Sequence, residues 1–213
     1  MNSSINSHTS SPLGSASPNL SAGSPQWLVS VRVLSELVAA LEFSVDIIDL
    51  KEPRAGALAP TTKDFWGEAA VAVRQSKTQP LLSAALGERA EMVRVAADLP
   101  AAFSFAKVGP SQCGTTGELR DLWHDAQNRL PSNVELVPVS YADFQNAATL
   151  PPESVLDLAV ESGFRCCLID TFAKEGKSTI DVLGWQRLER LSAQAQSNGL
   201  WCCLLYTSDA ADE

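Results

Sequence analysis

Val45-Asp46-Ile47-Ile48-Asp49-Leu50-Lys51 is a short apolar run that ends in charge. Successive side chains of a strand point to opposite faces, so Asp49 and Lys51 share one face while Ile48 and Leu50 occupy the other. A run this apolar with little alternation suits a strand covered on both sides, as in a parallel sheet. Charge at the carboxyl end of such a strand is what the mouth of a parallel barrel requires, because substrates meet the barrel there.

The pattern repeats outward from this segment. Apolar runs at 27–31, 45–50, 80–86, 103–108, 134–140, 166–170 and 200–204 read as strands. Amphipathic stretches at 34–42, 63–75, 89–99, 118–129, 153–161 and 181–197 read as helices, and Asn198-Gly199 supplies a stop after the last. Regular strand–helix alternation predicts a parallel sheet with crossover helices. No Gly-rich GxGxxG turn follows the first strand, which disfavours an open nucleotide-binding sheet. The expectation is an α/β fold, a TIM (β/α)8-type barrel truncated after about the seventh strand and occupying residues 27–203.

The ends are read differently. Residues 1–26 are rich in Ser, Asn, Pro and Gly and contain no Lys, Arg, Asp or Glu. They are expected to be a disordered extension, or residues upstream of the true start. Residues 204–213 look like the translation of a transposase sequencing adapter and are expected to be non-native, with Cys203 at the boundary. A seven-stranded barrel has two unpaired edges, so the intact parent protein is expected to be the active form.

Composition excludes several classes of function. With 213 residues, 45% of them hydrophobic, the chain supports one sizeable core. The formal net charge is −9 and no basic patch stands out, so nucleic acid is not an expected partner. No apolar run is long enough to span a bilayer, and the start lacks the basic and apolar regions of a signal peptide, so a cytoplasmic location is expected. Five cysteines form no CxxC and are expected to be buried, reduced thiols. The two histidines, His8 and His124, nearly exclude a histidine-held metal or a serine triad. No metal and no cofactor are expected, and proton transfer falls to Lys, Asp, Glu or Tyr.

Strand ends then nominate the site. Phe105-Ala106-Lys107-Val108-Gly109 brings Lys107 to the mouth. Cys166-Cys167-Leu168-Ile169-Asp170-Thr171-Phe172-Ala173-Lys174 adds Asp170 and, just beyond it, Lys174, with Lys177 in the same loop. A ring of structural ion pairs would use the same residues. Clustered lysines also have a chemical use, because neighbouring positive charge and desolvation free a neutral amine to attack a carbonyl. The loop from Gly109 to Gly117 offers backbone N–H groups to a phosphate, or is an ordinary entry to the next helix. Tyr141 is a candidate proton donor at the mouth, Asp143 a candidate helix cap, and Trp66 and Trp185 are expected to pack helix faces.

These segments carry a family resemblance. Val45-Asp-Ile-Ile-Asp-Leu-Lys-Glu-Pro-Arg-Ala-Gly-Ala-Leu58, Ala106-Lys-Val-Gly109 and Leu168-Ile-Asp-Thr-Phe-Ala-Lys-Glu-Gly-Lys177 resemble the signatures of (5-formylfuran-3-yl)methyl phosphate synthase. That enzyme is also described as 4-(hydroxymethyl)-2-furancarboxaldehyde-phosphate synthase of methanofuran biosynthesis. The resemblance covers about residues 27–201. It implies a carbon–oxygen lyase acting on phosphates, in C1 metabolism, that condenses two glyceraldehyde 3-phosphate molecules with loss of phosphate and water. It implies that Lys51 forms the Schiff base, with Lys174 its rival, and that Asp49, Lys107, Asp170 and Lys174 complete the site. Gly109 and Lys177 are weaker candidates for substrate phosphate, and the resemblance leaves room for a homo-oligomer. The alternatives are another Schiff-base sugar-phosphate aldolase and a non-catalytic phosphometabolite-binding barrel.

Overall fold

The computed structural model describes residues 25–173 and 176–204. The amino-terminal extension, the carboxyl-terminal tail and Lys174 therefore fall, wholly or nearly so, outside the described residues.

Seven strands alternate with helices. They are β1 (Leu28–Val31), β2 (Ile47–Leu50), β3 (Leu81–Ala85), β4 (Phe105–Val108), β5 (Glu135–Tyr141), β6 (Cys166–Asp170) and β7 (Trp201–Leu204). The helices are α1 (Leu34–Leu41), α2 (Lys63–Gln75), α3 (Arg89–Val95), α4 (Thr116–Arg129), α5 (Pro152–Glu161), α6 (Thr179–Leu183) and α7 (Trp185–Ser197). Every strand pairs in parallel with the next, giving one curled sheet in the order β1 to β7. Among the described residues β1 and β7 pair only with β2 and β6, and the ring is open between them. The architecture is the expected truncated barrel.

Strand alternation sorts the apolar residues into two cores. Ile48, Leu50, Leu82, Ala84, Ala106, Val108, Leu136 and Ile169 face the helices, where Leu37, Trp66, Trp123, Leu156 and Leu188 cover them. Ile47, Phe105, Val137, Val139 and Leu168 point into the barrel with Leu28, Leu81, Trp201 and Cys203. Trp66 meets Phe103 edge-on at 6.4 Å between ring centres, and Trp123 meets Phe164 at 5.0 Å. Truncating either buried indole to alanine should cost about 3–5 kcal/mol.

Two departures from the expected elements have clear causes. The helix expected over 181–197 is two helices, because Gly184 takes φ +74° between α6 and α7. That break starts α7 at Trp185, which is 64% exposed and does not pack a helix face as expected. The second departure is in β5, which changes neighbours along its length. Glu135–Pro138 register with β4, and Val139–Tyr141 with β6. Pro138, which has no N–H to donate, sits at that changeover.

Candidate active site

The inner face of the sheet turns from apolar to charged toward its carboxyl end. On β2, Ile47 is followed two residues on by Asp49 and then by Lys51 just past the strand. On β4, Phe105 is followed by Lys107, and on β6, Leu168 is followed by Asp170. All four charged residues are enclosed, with Asp49 at 0% and Lys51, Lys107 and Asp170 at 2% exposure.

Asp49 and Lys107 meet directly. Lys107 Nζ lies 2.5 Å from Asp49 Oδ1, an ion pair sealed from water. Ser30 on β1 donates its hydroxyl to Asp49 Oδ2 at 3.3 Å. Burial works to raise the Asp49 carboxyl, but the ammonium groups of Lys107 and Lys51 and the Ser83 hydroxyl outweigh it and hold the pKa below the usual value. Asp170 Oδ1 accepts from the Thr171 N–H at 2.7 Å, which fixes the carboxylate at the strand end.

Cys203 on β7 reports how close these groups lie. Burial is the main influence on its thiol, which is pushed up to about 11. Lys107, Asp49, Asp170 and Lys51 all act on it electrostatically as well. One thiol therefore senses all four charged side chains, and the structure brings Lys51, Asp49, Lys107 and Asp170 into one enclosed mouth. Beneath them the apolar inner residues surround a narrow cavity of about 40 Å³, bordered by Lys107, Ser83 and Cys203.

The rim is laced by backbone hydrogen bonds. Gly87, after β3, donates its N–H to Leu58 O at 2.7 Å and accepts from Gly109 N–H at 2.9 Å. It holds φ +82°, a left-handed conformation that favours glycine. Gly109 has a different reason to be glycine, since a Cβ there would collide with the Glu88 carboxylate. These contacts bear on the two readings left open for the loop that starts at Gly109. The N–H of Gly109 is engaged by Gly87, that of Ser111 by Glu88, that of Gln112 by Ala147 O and that of Thr115 by Glu118. The loop is folded on itself at these amides, so they form no backbone cradle for phosphate.

Tyr141 and Asp143 have roles the sequence only hinted at. Tyr141 ends β5 on the inner face, fully buried, and donates its hydroxyl to Glu88 Oε1 at 2.6 Å. Asp143 accepts from the backbone N–H groups of Phe172 and Ala173 at 2.7 and 2.8 Å. It therefore ties the loop after β5 to the loop after β6 and does not cap a helix. Lys177 is exposed and has Asp181 as its charged neighbour, so it stands apart from the buried cluster.

Glu88 escaped the sequence reading although the rule that selected Asp49 and Asp170 applies to it. Gly87-Glu88 lies just past β3, with Leu86 between, and a carboxylate there is near a strand end. Glu88 is also the N-cap of the helix that begins at Arg89, a role that fits a carboxylate at that position equally well. Among the described residues no cluster of three or more His, Cys, Asp or Glu is placed to hold a metal, and no helix is long and apolar enough to cross a membrane.

The chain is 27% identical over 183 residues to the (5-formylfuran-3-yl)methyl phosphate synthase of Methanothermobacter thermautotrophicus, covering 81% of this chain and 75% of that protein. The protein of the same name from Methanococcus maripaludis is 27% identical over 186 residues, covering 83% and 77%. The one from Archaeoglobus fulgidus is 24% identical over 186 residues, covering 83% and 78%. Among solved structures, the putative copper homeostasis protein CutC of Streptococcus agalactiae superposes with a TM-score of 0.57 at 13% identity, covering 83% of this chain and 85% of that one, a likeness of fold. A sequence model of the 4-HFC-P synthase family matches residues 27–205, the whole run of strands and helices that builds the mouth, and the chain belongs to that family.

Proposed function

We propose that this protein makes (5-formylfuran-3-yl)methyl phosphate from two molecules of glyceraldehyde 3-phosphate through a Schiff base on Lys51, as a step toward methanofuran. The observation that carries the reading is the meeting of Lys51, Asp49, Lys107 and Asp170 in one enclosed mouth. Relatives that bear the product's name support the choice of product.

The chemistry balances without a redox partner. Two triose phosphates hold six carbons and two phosphates, and the furan phosphate keeps all six carbons and one phosphate. The difference is one inorganic phosphate and two waters, with no net oxidation. The balance calls for no nicotinamide or flavin.

Each residue then has a task. A buried lysine beside a second ammonium group is a setting in which a neutral amine attacks a carbonyl, and Lys51 takes that part. The iminium withdraws electrons from the neighbouring carbon, and Asp170, fixed by the Thr171 N–H, removes the proton there. Lys107 stabilises the negative charge that develops on oxygen or phosphate, an effect strengthened where water is excluded. Asp49 holds Lys107 in place. Lys174, just beyond Asp170, is the second lysine of the proposed phosphate-handling set.

Incubation with glyceraldehyde 3-phosphate and borohydride, followed by peptide mass spectrometry, tests the reading. A reduced adduct on Lys51, with a furan absorbance and phosphate release in the unreduced reaction, is the expected result. Phosphate release without a furan, or no adduct on any lysine, would reject it.

A further inference from the structure

Glu88 stands between two environments. Its Oε1 accepts from the Tyr141 hydroxyl at 2.6 Å inside the barrel, and its Oε2 accepts from the Ser111 N–H at 2.8 Å on the rim. The same side chain lines an open groove outside the rim with Arg89, Ser111, Gln112, Cys113 and Glu118. Tyr141 is fully enclosed and is the register partner of Asp170 on β6. A phenol at the charged cluster is thus one hydrogen bond from a carboxylate that lines the open groove.

We propose that Tyr141 and Glu88 form a proton path into the mouth, with Tyr141 a further catalytic residue that protonates a departing hydroxyl and Glu88 the group that positions and recharges it. The proposal rests on the function given above, whose two dehydrations each need a proton donor. As the substrate C–O bond breaks, its electron pair leaves with oxygen, and the Tyr141 proton joins that oxygen to release water. In the reacting state Glu88 is the carboxylic acid and its hydrogen bond with Tyr141 is reversed: as the phenol gives up its proton the Glu88 acid donates to the phenolate oxygen, and the carboxylate left behind takes a proton from water in the groove. Asp170 takes the carbon-bound proton that completes the elimination, and no electrons are gained or lost overall.

The local fold is built around this pair. Gly109 leaves the space that Glu88 fills, and the amide of Ser111 holds the carboxylate from the rim. Burial holds the Glu88 carboxyl above its usual range, against the hydrogen bonds from Tyr141 and Ser111, and Glu91 on α3 pushes the same way. Arg89, Cys113, Glu118 and Asp121 are the other titratable groups that line the groove. Burial also raises the Tyr141 phenol well above its usual value, followed by Glu88, Asp170 and Asp143, so the phenol keeps its proton until the reaction draws on it.

Tyr141→Phe keeps the ring and its contact with Phe172, 5.2 Å between centres, so a thermal melt should move little. Turnover to the furan should fall about 10²-fold with KM unchanged, while borohydride still traps the Lys51 adduct. Glu88→Ala should lose turnover similarly and regain it with added acetate. Wild-type turnover should decline as pH rises and Glu88 gives up its proton, and Glu88→Gln should lack that limb. Wild-type turnover in Tyr141→Phe, or a Glu88→Ala protein that acetate does not restore, would overturn the proposal. If the wild-type protein forms neither adduct nor furan, the functional reading has failed, and this proposal falls with it.

Discussion

The even-numbered and odd-numbered strands supply the mouth with opposite kinds of side chain. β2, β4 and β6 deliver Asp49, Lys51, Lys107 and Asp170. At comparable positions β1, β3, β5 and β7 deliver Ser30, Ser83, Ala85, Val139, Tyr141 and Cys203. In a barrel, side chains of alternate strands fall into the same layer of the interior. Charges carried on alternate strands therefore meet one another, and the small or neutral residues between them leave room and tune the field. The even strands carry the buried charge and its energetic risk, and the odd strands carry uncharged side chains.

That contrast can be broken by substitution. Lys51→Met should reduce furan formation by on the order of 10³-fold or more and abolish the borohydride adduct, because it removes the attacking nitrogen itself. An adduct that persists on another lysine would transfer the covalent role. Lys107→Met leaves Asp49 buried without the cation 2.5 Å away and should destabilise the fold by about 3–5 kcal/mol in denaturant titrations. Replacing both partners, Asp49→Leu with Lys107→Met, should recover most of that loss while leaving the protein inactive. Additive losses would mean that the two charges do not function as a pair.

Smaller effects belong to the neutral strands and the rim. Gly109→Ala drives a methyl into the Glu88 carboxylate and should cost about 1–3 kcal/mol, with turnover falling alongside the Tyr141–Glu88 bond. Ser30→Ala removes only the 3.3 Å bond to Asp49 and should cost about 0.5–1.5 kcal/mol. The acid limb of stability sharpens the same point. The folded Asp49 pKa is lower than its unfolded one, so its contribution is fully present above the unfolded value and is lost as pH falls through the lowered folded value. Asp49→Asn should flatten stability against pH below about 4, whereas Ser30→Ala should leave the limb in place.

The legible part of this molecule was whatever one strand states on its own. Asp49, Lys51, Lys107 and Asp170 stand out because each interrupts an apolar run at the end where a barrel does chemistry. The seven strands were legible for the same reason, and β6 and α2 fall where the residue pattern puts them. What stayed hidden depends on contacts across the chain. Glu88 and Tyr141 are 53 residues apart, and Glu88 also starts a helix, so a local pattern gives it that simpler role. Asp143 was read as a cap because its true partners, the amides of Phe172 and Ala173, lie about 30 residues on. The break at Gly184 was hidden because helical spacing of the leucines continues across it. The spacing records which faces are apolar and not whether the backbone between them is continuous.

Gly87 has a consequence for the two sides of the mouth. Its two peptide groups bind the turns after β2 and β4 to its own, so that three turns form one plate. Across the mouth, the turn after β6 is clasped by the side chain of Asp143. The mouth thus has a stiff wall on one side and, on the other, a clasp that rests on one carboxylate. Removing the Asp143 carboxylate would free the turn after β6 and leave the plate of three turns intact.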